Sequence, residues 1–121
     1  MQLRTGIDLI EIHRVQEAID RFGTRFLRRV WTPRELELFA GQLTSLAVRW
    51  AAKEAVGKAF GTGIGDISFQ EIEILRGPRQ EPVLQLSGAA QKLSADLGLT
   101  TWSISLSHTA TLAIASVAAA G

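Results

Sequence analysis

The chain has 121 residues, of which 46% are hydrophobic and 21% charged, and its formal net charge at pH 7 is +1. This length predicts a single domain, residues 1–121, with a modest core, and the composition excludes a disordered or fibrous chain. The near-neutral charge gives no reason to expect a nucleic-acid partner, and no membrane-spanning run or signal-peptide layout occurs. The absence of cysteine fits a reducing compartment, so we expect a cytoplasmic protein.

The first predicted element is a strand that ends beside a carboxylate. Leu3, Thr5 and Ile7 alternate with polar or small residues, as in a strand with one buried face. Gly6 would let another backbone approach closely, and Asp8 would lie exposed at the end of the strand. Asp8 is then either a metal ligand or the capping residue of the helix that follows, and the two roles are compatible.

Four helices are expected next, each with a boundary signal in the sequence. Apolar residues spaced three and four apart predict a helix from about Glu11 that ends at Gly23. Thr24 is the expected cap of a short basic helix, Thr32 begins a capping box with proline at the first helical position, and Thr44 is the expected cap of a long helix. The apolar positions expected to be buried on the first two helices are Val15, Ile19, Phe22 and Phe26.

The long helix combines one carboxylate and three cations with many small apolar residues. At about 100° per residue, Trp50, Glu54 and Lys58 fall on one edge, and Arg49 and Lys53 form the adjoining edge. Alanines and valines occupy the opposite half. Two interpretations are equally good on this helix alone: an amphipathic helix with a Glu54–Lys58 pair four residues apart, or a surface that binds an anion and a metal.

A second carboxylate favours the metal site. Asp8 and Glu54 come from separate elements and offer only oxygen ligands, which suits Mg²⁺, because that ion takes one or two protein carboxylates and completes its shell with water and phosphate oxygens. Zinc is not indicated, since the chain has no cysteine and its two histidines are far apart.

Beyond the glycine-rich segment 61–65 the apolar residues change to a period of two. That segment is either a phosphate cradle or a flexible loop, and we expect a loop because it lacks the lysine of a P-loop. Strands are expected at 71–75, 83–86, 102–107 and 111–117, with a short helix at 89–97. The predicted fold class is α+β, an antiparallel sheet packed against helices that include the long one.

Three segments, in this order, resemble the signatures of the holo-acyl-carrier-protein synthase family, the small branch of the 4′-phosphopantetheinyl transferases. They are Gly6-Ile7-Asp8-Leu9-Ile10-Glu11-Ile12, then Arg49-Trp50-Ala51-Ala52-Lys53-Glu54-Ala55 with Lys58-Ala59, and finally Ser105-Leu106-Ser107-His108. The segment 26–35 also resembles the family, with Trp31 in place of a more usual phenylalanine. The resemblance extends from about Gly6 to Ala118, nearly the whole chain.

The resemblance implies an Mg²⁺-dependent enzyme of fatty acid synthesis with the phosphopantetheinyl transferase fold. Such an enzyme moves the 4′-phosphopantetheine arm of coenzyme A onto a serine of apo acyl carrier protein and releases 3′,5′-ADP. The family forms homotrimers with active sites between subunits. A larger, monomeric branch carries a further metal-binding carboxylate where this chain has Ile10, so we expect only two protein ligands here.

Mapped onto this chain, the resemblance assigns roles to a few side chains. Asp8 and Glu54 would hold Mg²⁺, either Glu54 or a metal-bound water would be the base, and Lys58 would offset charge on the pyrophosphate. From the residues alone His108 is more simply a loop histidine, and only the resemblance makes it a ligand contact. The expected coenzyme A contacts are Arg49, Lys53, Lys58, Ser107 and His108.

The resemblance implies an acidic carrier protein as partner, and the local excess of arginine on the first two helices is the expected docking face for it. A solvated basic face is the plainer explanation. The alternative function is a non-enzymatic basic module that binds an acidic protein partner, but it leaves Asp8, Glu54 and Lys58 unexplained. A generic Mg²⁺-dependent nucleotide hydrolase would explain the carboxylates but not the basic face, and no Walker pattern occurs. The expected docking residues are Arg14, Arg21, Arg25 and Arg28.

Overall fold

A computed structural model describes all residues from 1 to 121 and confirms the α+β class. Helices and strands alternate in blocks, and a short 3₁₀ helix (Phe69–Glu71) precedes the second strand. The elements in chain order are β1 (Leu3–Glu11), α1 (Ile12–Phe22), α2 (Thr24–Val30), α3 (Pro33–Phe39), α4 (Leu43–Phe60), β2 (Ile72–Arg76), β3 (Pro82–Leu86), α5 (Gly88–Asp96), β4 (Thr101–His108) and β5 (Leu112–Ala120). None of these helices has both the length and the apolar character that a membrane span requires.

The strands form two antiparallel sheets rather than the one that the sequence predicts. The larger sheet has the order β1-β5-β4, so that β1 and β4 lie at its opposite edges, and β2 pairs with β3 in a separate hairpin. Helix α4 packs across the inner face of the larger sheet. The inner residues of β5 are small and buried, which lets this helix lie close to the strands: Ala113, Ala115, Val117 and Ala119.

The outer face of the larger sheet is exposed and partly apolar. The side chains of Leu3, Ile7 and Leu9 on β1 are 69%, 57% and 57% exposed. We expected β5 to be covered on both faces, but in the single chain its outer side is not buried, and Ser116 is exposed there. An exposed apolar sheet face of this kind is typical of a surface that another protein chain covers.

Strand β1 is longer than its local pattern predicts. It continues to Glu11 because every residue from Leu3 onward pairs with β5, up to Glu11 opposite Leu112. Asp8 therefore lies within the strand, opposite Ala115, and not at its end. The capping role considered for Asp8 is wrong, since Glu11 is the residue that precedes α1.

Two predicted helix caps are also wrong, and two other boundaries are confirmed. Thr24 lies inside α2 and Gly23 precedes it, while Gln42, rather than Thr44, precedes α4. The capping box at Thr32 forms as predicted, and α4 ends at Gly61 in the left-handed conformation that glycine favours.

An aromatic cluster joins α2 to α4. The rings of Phe26 and Trp50 meet edge to face at 5.4 Å between centroids, and Trp31 packs edge-on against Phe26 at 5.5 Å. Phe22 is 56% exposed, so its predicted burial is wrong. It is the last residue of α1, and the chain changes direction at Gly23, whose φ is 60°.

Candidate active site

The two motif segments meet where β1 crosses α4. Lys58 Nζ donates to Asp8 Oδ1 at 3.0 Å and to the Ile7 carbonyl oxygen at 2.9 Å. The predicted pair between Glu54 and Lys58 is therefore replaced by a pair between Lys58 and Asp8. Pairing along a helix is worth only a few tenths of a kcal/mol, about 0.2–0.5, so a strand that brings a carboxylate within reach readily replaces it.

The carboxylates of Asp8 and Glu54 lie close enough to repel each other. Burial raises the pKa of Glu54 above its ordinary value, the negative charge of Asp8 raises it further, and Lys58 opposes both effects. Asp8 Oδ2 is buried and accepts no hydrogen bond. A buried acceptor without a hydrogen-bond partner destabilises the fold, and a cation bound between the two carboxylates would remove both this penalty and their repulsion.

Mg²⁺ fits this donor set. Both ligands are hard oxygen donors, and no group of three histidine, cysteine or acidic side chains is present that would form an all-protein metal cage. Ile10 is apolar and packs against the core, so its side chain offers no metal ligand. An ion held by one or two carboxylates keeps most of its positions for water and phosphate oxygens.

Gly6 brings the two carboxylate-bearing elements together. A Cβ at this position would overlap the carbonyl group of Ala55 and also crowd the Ala59 amide, so only glycine lets β1 lie this close to α4. The close approach expected for Gly6 is confirmed. Because Asp8 is two residues along the same strand, the separation of Asp8 from Glu54 depends on this contact.

The substitution Gly6→Ala is expected to destabilise the protein by about 1–3 kcal/mol or more, since α4 must move away from the sheet. The matched control is Gly65→Ala, where a Cβ meets nothing within 4 Å and the backbone φ is not in the positive range. Urea unfolding of both variants measures the difference. Equal free energies of unfolding for the two variants would show that β1 and α4 can move apart without loss of stability.

A second group of cations lies at the other edge of the larger sheet. Arg49 and His108 line a groove of about 330 Å³ together with Arg76 and polar residues of α4 and β4. His108 is the last residue of β4, so it lies at the end of a strand and not in the loop that follows. Ser107, one residue earlier, is exposed on the other face of the strand and does not line the groove.

Lys53 does not belong to either cluster. Its side chain is fully buried, and its Nζ donates to Glu35 Oε1 at 2.6 Å and to the Phe69 carbonyl oxygen at 2.9 Å. Burial lowers its pKa, and the adjacent Glu35 carboxylate opposes that effect. The prediction that Lys53 contacts coenzyme A is therefore wrong for this geometry, because the ammonium group has protein partners and no access to solvent.

Arg76 was not predicted as a site residue, and the structure places it in the groove with Arg49 and His108. A signal was present in the register of β2. The period of two that buries Ile72 and Ile74 also places Arg76 on the inner side of the strand.

The four arginines predicted to dock a carrier are exposed on α1 and α2. Arg14 also lines a groove of about 290 Å³ with Leu9, Trp50 and other residues of β1 and β5. Trp50 is one helical turn before Glu54 on α4. The groove that Arg14 lines therefore includes a side chain one helical turn from Glu54.

Comparisons with known proteins agree with this geometry. The sequence profile of the 4′-phosphopantetheinyl transferase superfamily matches residues 4–115. The chain belongs to this superfamily. A holo-[acyl-carrier-protein] synthase of Herpetosiphon aurantiacus is 46% identical over 126 residues, covering 98% of this chain and 99% of the relative.

Solved structures of superfamily members have the same fold. The holo-[acyl-carrier-protein] synthase of Helicobacter pylori in complex with coenzyme A has a TM-score of 0.88 and 35% identity, covering 96% of this chain and 99% of that one. The synthase of Bacillus anthracis in complex with CoA (3′,5′-ADP) has a TM-score of 0.80 and 33% identity, covering 96% and 94%. The resemblance and the fold class inferred from the sequence are thereby confirmed.

Proposed function

We propose that this chain is a holo-[acyl-carrier-protein] synthase, which transfers the 4′-phosphopantetheine arm of coenzyme A to a serine of an apo acyl carrier protein. The observation that carries the proposal is the buried, unpartnered Asp8 Oδ2 beside Glu54 and Lys58. The names of its relatives and the coenzyme A complex of the Helicobacter pylori protein support it.

We assign Mg²⁺ to the carboxylates of Asp8 and Glu54. When bound, the ion would neutralise negative charge on the phosphate oxygens of coenzyme A. The mutual repulsion of the two carboxylates supports this assignment, since a cation between them relieves it.

The proposed reaction is a phosphoryl transfer. The serine oxygen of the carrier forms a bond to the β-phosphorus of coenzyme A, the bond from that phosphorus to the bridging oxygen breaks, and 3′,5′-ADP leaves with the electron pair. The serine proton needs an acceptor, and Glu54 is the side chain suited to it, since its raised pKa makes it a better base than an ordinary carboxylate. Lys58 is half exposed beside Asp8 and would stabilise charge on the phosphoryl oxygens.

The groove that contains Arg49 and His108 is suited to another anionic part of coenzyme A. It lies at the β4 edge of the sheet, whereas Asp8 lies on β1 at the opposite edge. One molecule of coenzyme A would use both groups if the groove of one chain lies beside the carboxylates of a neighbour. The exposed apolar face of the sheet supports such an assembly.

A homotrimer with active sites between subunits, which the resemblance to the family implies, is part of the proposal. Light scattering during size-exclusion chromatography of the active protein is expected to give three times the mass of one chain. An active monomer would contradict this assembly and would place both groups of residues in one subunit's site.

The proposed function is tested by incubating the protein with coenzyme A, Mg²⁺ and an apo acyl carrier protein. Chromatography is expected to show release of 3′,5′-ADP only when all three are present. Release without a carrier would indicate a hydrolase, and no release with any of several carriers would favour the non-enzymatic binding module.

The carrier is expected to dock on the basic surface of α1 and α2. Reversing two charges, Arg14→Glu with Arg21→Glu, should raise the apparent KM for the carrier by 10-fold or more (about 1.4 kcal/mol) with little change in the KM for coenzyme A. Added salt should weaken carrier use by the unmodified enzyme, because surface charges are screened. Both constants come from steady-state kinetics with each substrate varied in turn.

A matched control reverses two exposed charges elsewhere, Arg79→Glu with Lys92→Glu, on the β2–β3 hairpin and on α5. This variant has the same net charge as the docking variant and is expected to keep the original KM for the carrier. An equal effect in both variants would mean that overall charge, and not a docking face, controls carrier binding.

A further inference from the structure

Only one of the three tryptophans has an indole N–H without a hydrogen-bond partner. Trp31 Nε1 donates to the Leu46 carbonyl oxygen at 2.9 Å, and Trp102 Nε1 donates to Ser94 Oγ at 3.0 Å. Trp50 Nε1 is buried, and no atom of the protein accepts its hydrogen. A buried donor without an acceptor destabilises a fold, so its presence here needs a reason.

Aromatic packing holds the indole ring of Trp50 in place. Its centroid lies 5.4 Å from that of Phe26 and 6.4 Å from that of Trp31, and both pairs meet edge to face. Turning the ring toward a different acceptor would break these contacts, which are favourable arrangements of aromatic rings. The N–H bond is therefore fixed in direction, and an acceptor has to move to it.

The acceptor within reach is the carboxylate of Glu54. Trp50 and Glu54 are four residues apart on α4, which places their side chains next to each other on one edge of the helix. Burial raises the pKa of Glu54, and the charge of Asp8 raises it further. Lys58 and the indole N–H of Trp50 oppose this rise. The N–H thus lies near the carboxylate, although the two groups do not complete a hydrogen bond.

The carboxylate of Glu54 has no other partner that would orient it. Lys58 Nζ donates to Asp8 Oδ1 at 3.0 Å, so Asp8 is already oriented by the protein. None of the ion pairs in the structure includes Glu54. Glu11, an acid that lines one groove with Trp50, has ion pairs of its own. Because a metal-binding carboxylate is normally held by a hydrogen bond from a second residue, Trp50 is the donor suited to Glu54.

We propose that Trp50 is a positioning residue, whose indole N–H donates to the Glu54 carboxylate in the complex with Mg²⁺ and coenzyme A and orients it toward Asp8. This inference rests on the proposed function, in which Glu54 holds Mg²⁺ and accepts the serine proton. Since the ring is fixed and the Glu54 side chain is not, a change of rotamer at Glu54 completes the hydrogen bond. Without the N–H, Glu54 would adopt several orientations, so the reaction would slow while the substrates still bind.

Proton–nitrogen correlation NMR tests the inference, since each tryptophan gives its own indole signal. The Trp50 signal is assigned by its absence in Trp50→Phe, or by elimination from the spectra of Trp31→Phe and Trp102→Phe. In the unmodified protein it should shift downfield when Mg²⁺ and coenzyme A are added, because a new hydrogen bond forms, while the other two signals stay in place. In Glu54→Ala the same additions should leave it unshifted.

Steady-state kinetics separate positioning from a merely structural role. Trp50→Phe keeps an aromatic ring but removes the donor, so kcat should fall about 10-fold, as when a residue that orients a metal ligand is lost. The KM values for coenzyme A and for the carrier should stay unchanged. Trp102→Phe is the matched control, since it removes an indole N–H that donates to Ser94 and lines a different groove. It should keep the original kcat.

An unmoved Trp50 signal in a sample that transfers phosphopantetheine would overturn the inference and leave the proposed function in place. A shift that persists in Glu54→Ala would also overturn it, because the N–H would then donate to the substrate. Equal losses of kcat in Trp50→Phe and Trp102→Phe, or a change in KM alone, would mean that the ring has only a structural role. Absence of transfer by the unmodified protein would contradict the proposed function and, with it, this inference.

Discussion

Asp8→Asn and Glu54→Gln are each expected to reduce transfer of phosphopantetheine by more than about 100-fold. Mutation of a residue that only orients a metal ligand already lowers metal affinity or activity by about 10- to 100-fold, and these two residues are the proposed ligands themselves. Each change removes one of two anionic ligands and leaves the side-chain volume nearly unchanged. Initial rates of carrier modification at saturating coenzyme A and ordinary Mg²⁺ concentration measure the effect.

The same variants should keep the fold. Since burial and Asp8 raise the pKa of Glu54, ionising this carboxyl costs stability at every pH above its ordinary value, and glutamine removes that cost. Without Mg²⁺, Glu54→Gln is therefore expected to melt no lower than the unmodified protein at pH 7. Glu37→Gln on α3 and Asp96→Asn on α5 are the matched controls, being exposed acids away from the site. Near-normal activity of Asp8→Asn or of Glu54→Gln would contradict the assignment of that residue as a metal ligand.

Glu35→Gln is expected to give the largest loss of stability, about 3–5 kcal/mol, since it leaves the buried Lys53 ammonium without its counter-ion. Glu35 is fully buried and accepts hydrogen bonds from Lys53 Nζ and from the backbone amides of Thr32 and Ile74. These partners join α3, α4 and β2 at one point. Urea unfolding at neutral pH gives the free energy of unfolding.

The pH dependence of this variant gives an independent check. Burial lowers the pKa of Lys53 in the folded state, and loss of Glu35 should lower it further. A folded-state pKa below the unfolded value of 10.5 means that stability rises as pH rises between the two values. The defect of Glu35→Gln should therefore shrink as pH rises through this window, and adding Lys53→Met should recover part of it at neutral pH.

Glu37→Gln is again the control, since this acid lies on the same helix and is exposed. It should leave the free energy of unfolding within about 0.5 kcal/mol of the original at all pH values. A Glu35→Gln protein as stable as this control would mean that Lys53 finds another partner or is neutral in the fold.

Local signals in the sequence predicted most of the helix and strand boundaries. The capping box at Thr32 and the glycine that ends α4 act within one turn of the chain, so their outcome does not depend on distant residues. The strand that contains Asp8 was predicted too short because its length depends on pairing with β5, more than 100 residues later. Long-range pairing of this kind leaves no local trace.

The site was predicted only in part, because some of its contacts also join residues that are distant in the sequence. The spacing of Glu54 and Lys58 on a helix was sufficient to place them near each other, but only β1 explains why Lys58 pairs with Asp8. Lys53 has the sequence context of a surface cation, and its burial depends on Glu35 from another helix. Arg76 lines the groove because the β2–β3 hairpin packs against α4. The order of the elements along the chain does not predict this packing.

The central claim is tested most directly by the intact mass of an apo acyl carrier protein after incubation with this protein, coenzyme A and Mg²⁺. The account predicts a gain of one phosphopantetheine group per carrier, on serine, with no gain in a carrier whose serine is replaced by alanine and almost none with Asp8→Asn. An unchanged mass of every apo carrier tested with the unmodified protein would contradict it.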